Sequence, residues 1–243
     1  MTRIGIVTQA RTSSTRLPGK VLLRLGDRSV LDHHLDRLAR TGLPVVVATT
    51  TNAGDDAGVA VAKRHGVPST RGSEQHVLSR FVEAAGAHGL DAVVRVTSDC
   101  PLIDPELIVA GVDRFVHAGD PWTYVSNGLR RTYPRGFDFE VFSTIALTDA
   151  RQRATLPEDI EHVTPYLHRN RSGLMTLVNV QAPADHSGHR VTLDTAEDLE
   201  LLRRLVEDHD AAGMSWSQIV RVLDRHPELV AVNAHVEHKE LGE

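Results

Sequence analysis

Short apolar runs alternate with helical hydrophobic patterns through the first part of the chain. Residues 4–7 form an apolar, β-branched run, and a polar loop then leads to residues 30–39, where apolar side chains recur at helical spacing. Further strands are predicted at 45–48, 67–70 and 92–96, and further helices at 55–65 and 77–85. Strands that alternate with helices predict parallel β-α-β units, and hence an α/β fold with a doubly wound, mostly parallel, Rossmann-like sheet covered on both faces.

The alternation changes after residue 120. Strands are predicted on either side of a link rich in Arg, Tyr, Pro and Gly, and we expect this β-rich segment, residues 120–142, to leave the sheet as an arm. These strands are at 122–125 and 137–142, with later strands at 174–180 and 190–193 and helices at 143–153, 158–169, 196–207 and 216–225. Residues 1–243 are expected to form a single domain that contains this arm.

Composition and charge narrow the class of protein. Hydrophobic residues make up 41% and charged residues 24% of the 243 residues, which is the balance of a globular protein with a sizeable core. The net charge is −5 and no run of like charges stands out. We therefore expect no general binding to nucleic acid and no binding to a membrane surface.

Signals for targeting, disulfides and zinc are not found in the sequence. No signal-peptide pattern follows Met1, and no stretch reaches the ~18 apolar residues that a transmembrane helix needs. Cys100 is the single cysteine, so no intrachain disulfide is possible and the cytoplasm is the expected compartment. The 14 histidines lack zinc-site spacing, and we assign them no metal.

The first segment with candidate chemistry is the loop after the first predicted strand. Ligands of parallel α/β sheets bind at the carboxyl ends of strands. Arg and Lys side chains, separated by hydroxyls and backbone N–H groups, suit a polyphosphate there. The loop is not a Walker A motif, and a solvated basic loop is the alternative interpretation. Its sequence is Gln9-Ala10-Arg11-Thr12-Ser13-Ser14-Thr15-Arg16-Leu17-Pro18-Gly19-Lys20.

Two aspartates follow predicted strands later in the chain. Asp99 lies in the string R-V-T-S-D-C-P-L-I-D at 95–104, and Asp194 lies in R-V-T-L-D-T-A-E-D-L at 190–199. Mg²⁺ prefers one or two carboxylates together with water and substrate phosphates, so both residues are candidate metal ligands. A turn or helix-start role ahead of Pro101 is the alternative for Asp99.

Two polar strings are also explained as the starts of helices. Thr195 is placed to cap the following helix, whose positive first turn favours the charges of Glu197 and Asp198. Ser73, in the string R-G-S-E-Q-H-V-L at 71–78, is placed to cap the next helix in the same way. For that string, capping and contact with a nucleotide base are equally good interpretations.

Several strings, in chain order, resemble motifs of one enzyme superfamily. Those at 9–20, 71–78, 95–104 and 190–199 resemble the cytidylyltransferases, which include the 3-deoxy-manno-octulosonate and acylneuraminate CMP transferases. Those at 126–142 and 161–166 are closest to the spore coat polysaccharide biosynthesis protein F type. Related uridylyl, thymidylyl and guanylyl transferases typically carry Gly-Gly where this chain has Gln9-Ala10, which favours the cytidylyl branch.

The chain departs from the family pattern at four positions. Ser98 stands where the family usually has Gly, and Gln75 and His76 replace two acidic residues. Arg135 likewise replaces an acidic residue in the string R-T-Y-P-R-G-F-D-F-E at 131–140. The last change predicts an acceptor specificity that differs from the usual one.

The resemblance implies a fold of the nucleotide-diphospho-sugar transferase type and transfer of CMP from CTP to a small anionic acceptor. It implies Mg²⁺ as cofactor, bound by Asp99 and Asp194, and a triphosphate held by the catalytic residues Arg11, Arg16 and Lys20. The implied nucleotide-binding residues are Gln9, Ala10, Arg11, Ser14, Arg16, Lys20, Arg71, Gly72, Ser73 and Ser98. The implied acceptor-binding residues are Asn127, Arg131, Arg135, Asp138 and Glu140.

A homodimer is the expected assembly. Sugar-acid CMP transferases, which the chain resembles, commonly dimerise through an arm at the place of residues 120–142. This segment is dense in aromatic residues, which is typical of an interface or of a small core beneath a loop. The six aromatics are Trp122, Tyr124, Tyr133, Phe137, Phe139 and Phe142.

Two other functions are compatible with a nucleotide-binding sheet. A metal-dependent glycosyltransferase predicts a D-x-D string at a strand end, and none occurs within residues 97–104. A non-catalytic nucleotide-binding protein is the second alternative, although Lys20, Asp99 and Asp194 are all present. A carboxylate or phosphonate acceptor needs no general base, whereas a sugar hydroxyl needs one, and the sequence does not identify that base.

Overall fold

A central β-sheet organises the fold in this computed structural model, which describes residues 2–237. The strands in this range are β1 (Ile4–Gln9), β2 (Arg24–Leu25), β3 (Arg28–Ser29), β4 (Val45–Thr50), β5 (Ser69–Gly72), β6 (Ala92–Thr97), β7 (Thr123–Ser126), β8 (Glu140–Ser143) and β9 (Thr176–Asn179). Seven of them form one sheet in the order β5-β4-β1-β6-β8-β7-β9, while β2 and β3 form a separate hairpin. Only β8 runs antiparallel to its neighbours in the seven-stranded sheet. The predicted mostly parallel α/β class is confirmed.

Helices cover both faces of this sheet. They are α1 (Val30–Ala39), α2 (Asp56–Arg64), α3 (Val77–Ala87), α4 (Pro105–Ala118), α5 (Thr144–Arg153), α6 (Pro157–His162), α7 (Pro165–His168), α8 (Ala196–His209), α9 (Trp216–Arg225) and α10 (Pro227–Asn233). Helix α1 begins where predicted because Ser29 and Asp32 form a capping box. Within residues 2–237, none of these helices is both long enough and apolar enough to cross a membrane.

Helix α4 was not predicted, although its signals are present in the sequence. Asp104 caps it, with Oδ1 accepting from the backbone N–H of Glu106 at 2.9 Å, and Pro105 occupies the first turn. Gly119 ends the helix in the left-handed region, with a φ of 64°. An N-cap aspartate, an early proline and a terminal glycine together mark the two ends of a helix.

Strands β7 and β8, at the two ends of residues 120–142, belong to the sheet, and residues 127–139 between them form no strand, so the expected β-rich arm is not confirmed. Strand β8 pairs with β6, with Val141 opposite Val94, and β7 pairs with β8. The segment's aromatic side chains are buried by the chain's own helices and strands, except for the half-buried Trp122. Burial of these side chains is what keeps the two strands in the sheet.

Residues 190–193 were predicted as a strand, but they form only one isolated bridge, between Arg135 and Arg190. Beside this bridge, Gly136 has a φ of 109°. A Cβ atom on Gly136 would lie 2.6 Å from the carbonyl carbon of Val191. The close approach therefore requires glycine at position 136. It holds the segment before Asp194 against residues 135 and 136.

Two hydrophobic clusters occupy the two sides of the sheet. On β1, Ile6 belongs to one cluster and Val7 to the other, as the alternation of a strand requires. Leu31 of α1 packs in the first cluster and Phe81 of α3 in the second. The polar residues that follow β1 and β6 are thereby fixed at the carboxyl edge of a rigid sheet.

Candidate active site

The ammonium group of Lys20 lies between two carboxylates at the carboxyl edge of the sheet. Lys20 Nζ donates to Asp99 Oδ2 at 2.6 Å and to Asp194 Oδ1 at 2.8 Å. The side chains of Lys20, Asp99 and Asp194 are 12%, 21% and 14% exposed. The structure therefore brings together one predicted triphosphate-binding residue and both predicted metal ligands from distant parts of the chain.

Electrostatics keep Lys20 and Asp99 charged. Burial opposes the charge of Lys20, but attraction to Asp99 and Asp194 outweighs it and raises the pKa of the ammonium group. Burial also opposes ionisation of Asp99, yet the charge of Lys20 and its hydrogen bond lower the pKa of that carboxyl to about 2. At neutral pH the site holds one ammonium and an ionised Asp99 in close contact.

Two backbone features place these side chains. Gly19 has a φ of 67°, and its N–H donates to the carbonyl of Thr12 at 2.9 Å, which closes the loop just before the one-turn helix Lys20–Leu22. The carbonyl of Asp99 accepts from the N–H of Leu193 at 2.8 Å. This bond ties the end of β6 to the segment that carries the second aspartate.

Asp194 is oriented by a network of charged side chains. Its Oδ2 pairs with Arg16 at 3.1 Å and with Arg190 at 2.8 Å. Arg190 Nε and Nη2 donate to the two oxygens of the fully buried Asp198 at 2.8 and 3.0 Å, and Asn233 of α10 donates to Asp198 Oδ1 at 2.8 Å. From the sequence, Asp198 was interpreted as a helix-start residue, and its positioning role was not predicted.

The predicted capping role of Thr195 is confirmed. Its hydroxyl accepts from the N–H of Asp198, and the Asp198 carboxylate accepts from the N–H of Thr195 at 3.1 Å, which completes a capping box for α8. The same Asp198 oxygen accepts from the N–H of Asp194 at 2.8 Å. One buried carboxylate therefore starts the helix and fixes the backbone of Asp194.

The loop at residues 9–20, which is predicted to bind the nucleotide and is called the nucleotide loop below, has a floor formed by the ends of β1 and β6. Ser98 donates to the carbonyl of Gln9 through its N–H at 3.1 Å and its hydroxyl at 2.7 Å. The buried Ala10 donates its N–H to the carbonyl of Ala48 at 3.2 Å. Oε1 of Gln9 is buried and has no hydrogen-bond partner within residues 2–237, so a buried acceptor remains available at this floor.

The rim of the loop is fixed to neighbouring strand ends. Thr12 donates to Asp55 Oδ1 through both its N–H and its hydroxyl at 2.7 Å. Ser13 donates closely to one oxygen of Glu74, and Asn52 donates to the other at 2.7 Å. The backbone of the loop is therefore held in place.

The remaining loop residues lie nearer the surface. Ser14 is half-buried, and its hydroxyl accepts a long bond from the N–H of Leu17 at 3.4 Å. Arg11 is half-buried, while one third of the Arg16 side chain is exposed. Arg16 lies beside Lys20, since both pair with Asp194, and Arg11 acts electrostatically on Glu74 at the rim of the loop.

Arg71 and Ser73 are engaged in local structure. Arg71 donates to the carbonyls of Thr50 and Asn52, both at 2.8 Å, and pairs with Asp56 at 2.6 Å. The hydroxyl of Ser73 accepts from the N–H of His76 at 3.1 Å. His76, rather than Ser73, caps α3, because its Nδ1 accepts from the N–H of Ser79.

Gly72 is packed closely against the next helix. A Cβ atom there would lie 2.9 Å from Cγ of Arg80 and 2.8 Å from a carboxylate oxygen of Glu83. Arg80 is fully buried and donates to the carbonyl of Ser73 at 2.8 Å. Helix α3 therefore packs against residues 72 and 73 and holds them in place.

A cleft of about 930 Å³ opens beside the end of β6. Of the five residues predicted to bind the acceptor, Arg131, Arg135, Asp138 and Glu140 line it. Asn127 is fully buried instead, with Nδ2 donating to the carbonyl of Phe137 at 2.8 Å and Oδ1 accepting from the N–H of Phe139 at 3.1 Å. Both of its polar atoms thus hold the backbone that leads into β8.

The two carboxylates of the cleft are already paired. Asp138 accepts closely from Arg131 through one oxygen and from the N–H of Gly136 at 3.1 Å through the other. Glu140 pairs closely with Arg95 and accepts from Tyr124 and, at 2.7 Å, from Thr164. Burial opposes the charge of Glu140, but Arg95 and the two hydroxyls lower its pKa, so it stays ionised.

Four further residues that line the cleft were not predicted from the sequence. Arg95, His162, His168 and Arg169 also line the cleft. Arg95 lies on β6 in the string R-V-T-S-D, and His162 lies in E-H-V-T-P-Y, so the resemblance had marked both strings without a role for these residues. With four arginines and two paired carboxylates, the cleft carries an excess of positive charge.

Comparison with known proteins identifies the family. A family model described as cytidylyltransferase matches residues 4–223. The chain belongs to the cytidylyltransferase family. The predicted resemblance is therefore confirmed, and this cytidylyltransferase carries its lysine and both aspartates within the matched range.

Individual relatives agree with this assignment. The chain is 33% identical to the spore coat polysaccharide biosynthesis protein SpsF of Bacillus subtilis, over 94% of this chain and 97% of that protein. A solved cytidylyltransferase from Leptospira borgpetersenii is 32% identical, with a TM-score of 0.91 over 99% of this chain and 100% of the other. A CMP:2-keto-3-deoxy-manno-octonic acid synthetase complexed with CTP is 19% identical, with a TM-score of 0.63 over 85% and 99% of the chains, a likeness of fold alone.

Proposed function

We propose that this cytidylyltransferase moves the CMP group of CTP onto a small anionic acceptor and releases pyrophosphate. The observation that carries this proposal is the contact of Lys20 with both Asp99 and Asp194 at 2.6 and 2.8 Å. Asp99 lies two residues after the end of β6, and the arginine-lined cleft opens beside the same strand end. A nucleotide site and an acceptor site would thus share one edge of the sheet.

Three cationic side chains are proposed to hold the triphosphate. Lys20 supplies a compact charge, whereas Arg11 and Arg16 supply planar guanidinium groups that match phosphate oxygens. Arg16 already pairs with Asp194 at 3.1 Å, so it reaches the same carboxylate as Lys20. The hydroxyl of Ser14 completes the proposed phosphate contacts, while Ala10 and Ser98, whose donors already bond to the carbonyls of Ala48 and Gln9, fix the floor beneath the nucleotide.

The base and ribose are proposed to lie between the loop floor and the string at 71–78. Gln9 offers a buried carbonyl oxygen with no partner within residues 2–237, which suits an amino group of the base. Gly72 and Ser73 would present backbone groups to the nucleotide. Arg71 would act indirectly, by holding the carbonyls at the end of β4.

The donor set fits Mg²⁺. Asp99 and Asp194 converge on one ammonium group, and no cluster of three or more potential metal-ligating side chains occurs in the described part of the chain. Two carboxylates, completed by water and phosphate oxygens, are the ligands that Mg²⁺ commonly takes in nucleotide enzymes. When bound, the ion would neutralise charge on the phosphate oxygens.

The chain's own residues would contribute mainly position and charge. An oxygen of the acceptor attacks the α-phosphorus in line with the departing pyrophosphate, which Arg11, Arg16 and Lys20 hold. Arg131 and Arg135 are proposed to hold the anionic group of the acceptor, because they line the cleft and Arg135 forms no salt bridge within residues 2–237. Asp138 orients Arg131 through their ion pair.

We also propose a homodimer, on a surface different from the one first expected. The aromatics of residues 120–142 are mostly buried within one chain, so they offer little contact area to a partner. Leu174 and Leu177, at the edge strand β9, are 50% and 41% exposed, and Leu177 also lines the cleft. Sedimentation at twice the chain mass is expected for the wild type, and a monomer for Leu177→Glu.

Calorimetric titration tests the proposed substrate. CTP with Mg²⁺ should bind with a dissociation constant in the micromolar to millimolar range, as is typical of enzyme substrates. A matched titration with Asp113→Asn, which alters an exposed aspartate of α4, should give the same affinity. If the wild type does not bind CTP, the proposed function is wrong.

A further inference from the structure

An unusual turn in the backbone separates α6 from α7. Val163 has a φ of 72° and a ψ of −51°, and the N–H of Thr164 donates to the carbonyl of His162 at 2.8 Å. These angles and this bond define a γ-turn of the rare, strained kind. A β-branched residue in this region is a clear outlier, so the surrounding structure must enforce it.

The turn directs both of its flanking residues towards the cleft. A continuous helix was predicted over residues 158–169, but α6 ends at His162 and a separate helix, α7, begins at Pro165. His162 and Thr164 both line the cleft, and Thr164 donates to the buried carboxylate of Glu140 at 2.7 Å. Val163 itself is fully buried, so its side chain anchors the turn in the core.

His162 differs from the two carboxylates of the cleft in its hydrogen bonding. Both oxygens of Asp138 and the carboxylate of Glu140 are already engaged in hydrogen bonds. By contrast, no side-chain hydrogen bond or salt bridge joins His162 to another residue in the range 2–237. Arg11 is among the charges that lower the pKa of its imidazole, whereas the ring of His168, the other histidine of the cleft, packs against Tyr124.

We propose that the acceptor attacks with a hydroxyl group and that His162 accepts the proton of that hydroxyl. This inference rests on the proposed function. The acceptor oxygen forms a bond to the α-phosphorus of CTP while the bond from that phosphorus to the β-phosphate oxygen breaks. Pyrophosphate leaves with that electron pair, and the proton passes to the imidazole and then to solvent.

The charges around His162 keep its imidazole ready to accept a proton. Burial is the largest cause that lowers its pKa, and Arg95 and Arg11 lower it further, while Glu161 and Glu158 raise it. The other charged or titratable groups of the cleft are Tyr124, Arg131, Arg135, Asp138, Glu140, His168 and Arg169. The imidazole is therefore neutral at pH 7, and its protonation on acidification would stop the reaction.

The proposal also narrows the class of acceptor. An acceptor that attacks through an ionised phosphonate or carboxylate oxygen has no proton to give up, so it would not need His162. The inferred acceptor instead carries two different groups: an anionic group for the arginines of the cleft and a hydroxyl for the α-phosphorus. A hydroxy sugar acid has both groups, whereas an aminoalkylphosphonate lacks the hydroxyl.

The test compares His162→Gln with His168→Gln in pyrophosphate release from CTP and Mg²⁺. The probes are 3-deoxy-manno-octulosonate, which offers a hydroxyl, and 2-aminoethylphosphonate, which offers only an ionised oxygen. In the wild type, kcat with the sugar acid should fall as the pH is lowered from about 8 to about 5, as a histidine base requires. This fall is the acid limb of the pH profile. In His162→Gln, kcat should fall about 100-fold or more without this acid limb, while the KM for CTP stays the same.

His168→Gln is the control variant, and 2-aminoethylphosphonate is the acceptor whose use would contradict the proposal. His168→Gln should keep the acid limb, because Glu140 and Arg169, rather than residues of the loop at 9–20, are the main charges that act on its imidazole. An acid limb that survives in His162→Gln, or efficient use of 2-aminoethylphosphonate by that variant, overturns the proposal. If neither probe reacts, hydrolysis of CTP by water is the readout, and an equal rate in wild type and His162→Gln overturns it. Failure of CTP to bind in calorimetry contradicts the proposed function instead.

Discussion

Lys20 Nζ lies 2.6 Å from Asp99 Oδ2, although 79 residues separate the two in the chain. The contact joins the loop after β1 to the end of β6, which are adjacent strands of the sheet. The contact places a positive and a negative group side by side in a partly buried site, where their mutual attraction is stronger than in water. A triphosphate with its counterion requires charges of both signs at one site.

We predict that Lys20→Ala weakens the binding of CTP far more than that of CMP. The loss should be at least about 10-fold for CTP and less than about 2-fold for CMP, because a group on the β- and γ-phosphates has little to hold in the monophosphate. Calorimetric titration of both nucleotides measures this difference. Lys63→Ala, which removes an exposed lysine of α2, is the control and should bind both like the wild type. Equal losses for the two nucleotides would assign Lys20 to another role.

The position of the loop after β1 could be predicted from the sequence because its residues are contiguous, and its role in binding a nucleotide stays a prediction. Twelve adjacent residues and a resemblance were enough to select Arg11, Arg16 and Lys20. The alternation of apolar runs and helical patterns similarly predicted the parallel strands, and α1 begins and ends where its pattern predicted. Local signals are sufficient wherever the structure is local.

Contacts between distant segments could not be predicted in the same way. Strand β8 is an antiparallel neighbour of β6, and nothing in residues 120–142 alone reveals that pairing. The pairing of Arg95 with Glu140 depends on that sheet order, and so does the cleft. The break at Val163 was missed although Pro165, which occupies the first turn of α7, is a local signal that one helix ends and another begins.

We predict a preference for CTP over UTP, and a contribution to it from Gln9. The amino group of cytosine can donate to the buried Oε1 of Gln9, whereas the O4 acceptor of uracil would leave two acceptors facing each other. The ratio of kcat/KM for CTP and UTP should be at least about 10 in the wild type and should fall in Gln9→Leu. Comparable values of kcat/KM in the wild type would contradict the choice of cytidine and leave the fold unaffected.

Acceptor binding should depend on the arginines of the cleft. In the double variant Arg131→Gln, Arg135→Gln, the KM for the acceptor should rise about 10-fold or more, while the KM for CTP changes by less than about 2-fold. Steady-state kinetics with each substrate varied in turn separate the two values. Arg151→Gln, on the exposed end of α5, serves as the control. Unchanged acceptor kinetics in the double variant would move the acceptor away from this cleft.

Stability should fall in mild acid because of His34. Its Nδ1 donates to the carbonyl of Cys100 at 2.9 Å and its Nε2 accepts from Thr8 at 2.8 Å, so the buried ring is neutral. Burial lowers the pKa of His34 from 6.5 to about 4, and the unfolded chain therefore binds a proton that the folded chain does not. The resulting contribution is complete above pH 6.5 and is lost progressively as the pH falls to about 4.

Urea unfolding at several pH values measures this effect. The difference between the two pKa values corresponds to at most about 3 kcal/mol of stability, lost between neutral pH and the folded-state pKa. His34→Gln should be less stable at neutral pH, and the slope of its stability against pH should be smaller over this interval. The same slope in both proteins would show that another group causes the acid sensitivity.

Pyrophosphate release in the presence of CTP, Mg²⁺ and a panel of anionic acceptors tests the central claim most directly. The wild type should release pyrophosphate with at least one sugar acid, phosphonate or phosphorylated acceptor, and the exposed-site control Asp113→Asn should do the same. Asp99→Asn and Asp194→Asn should each lower the rate about 100-fold or more while the fold, followed by circular dichroism, stays intact. Wild-type rates in either of these two variants, or no release by the wild type with any acceptor, would contradict the proposed site.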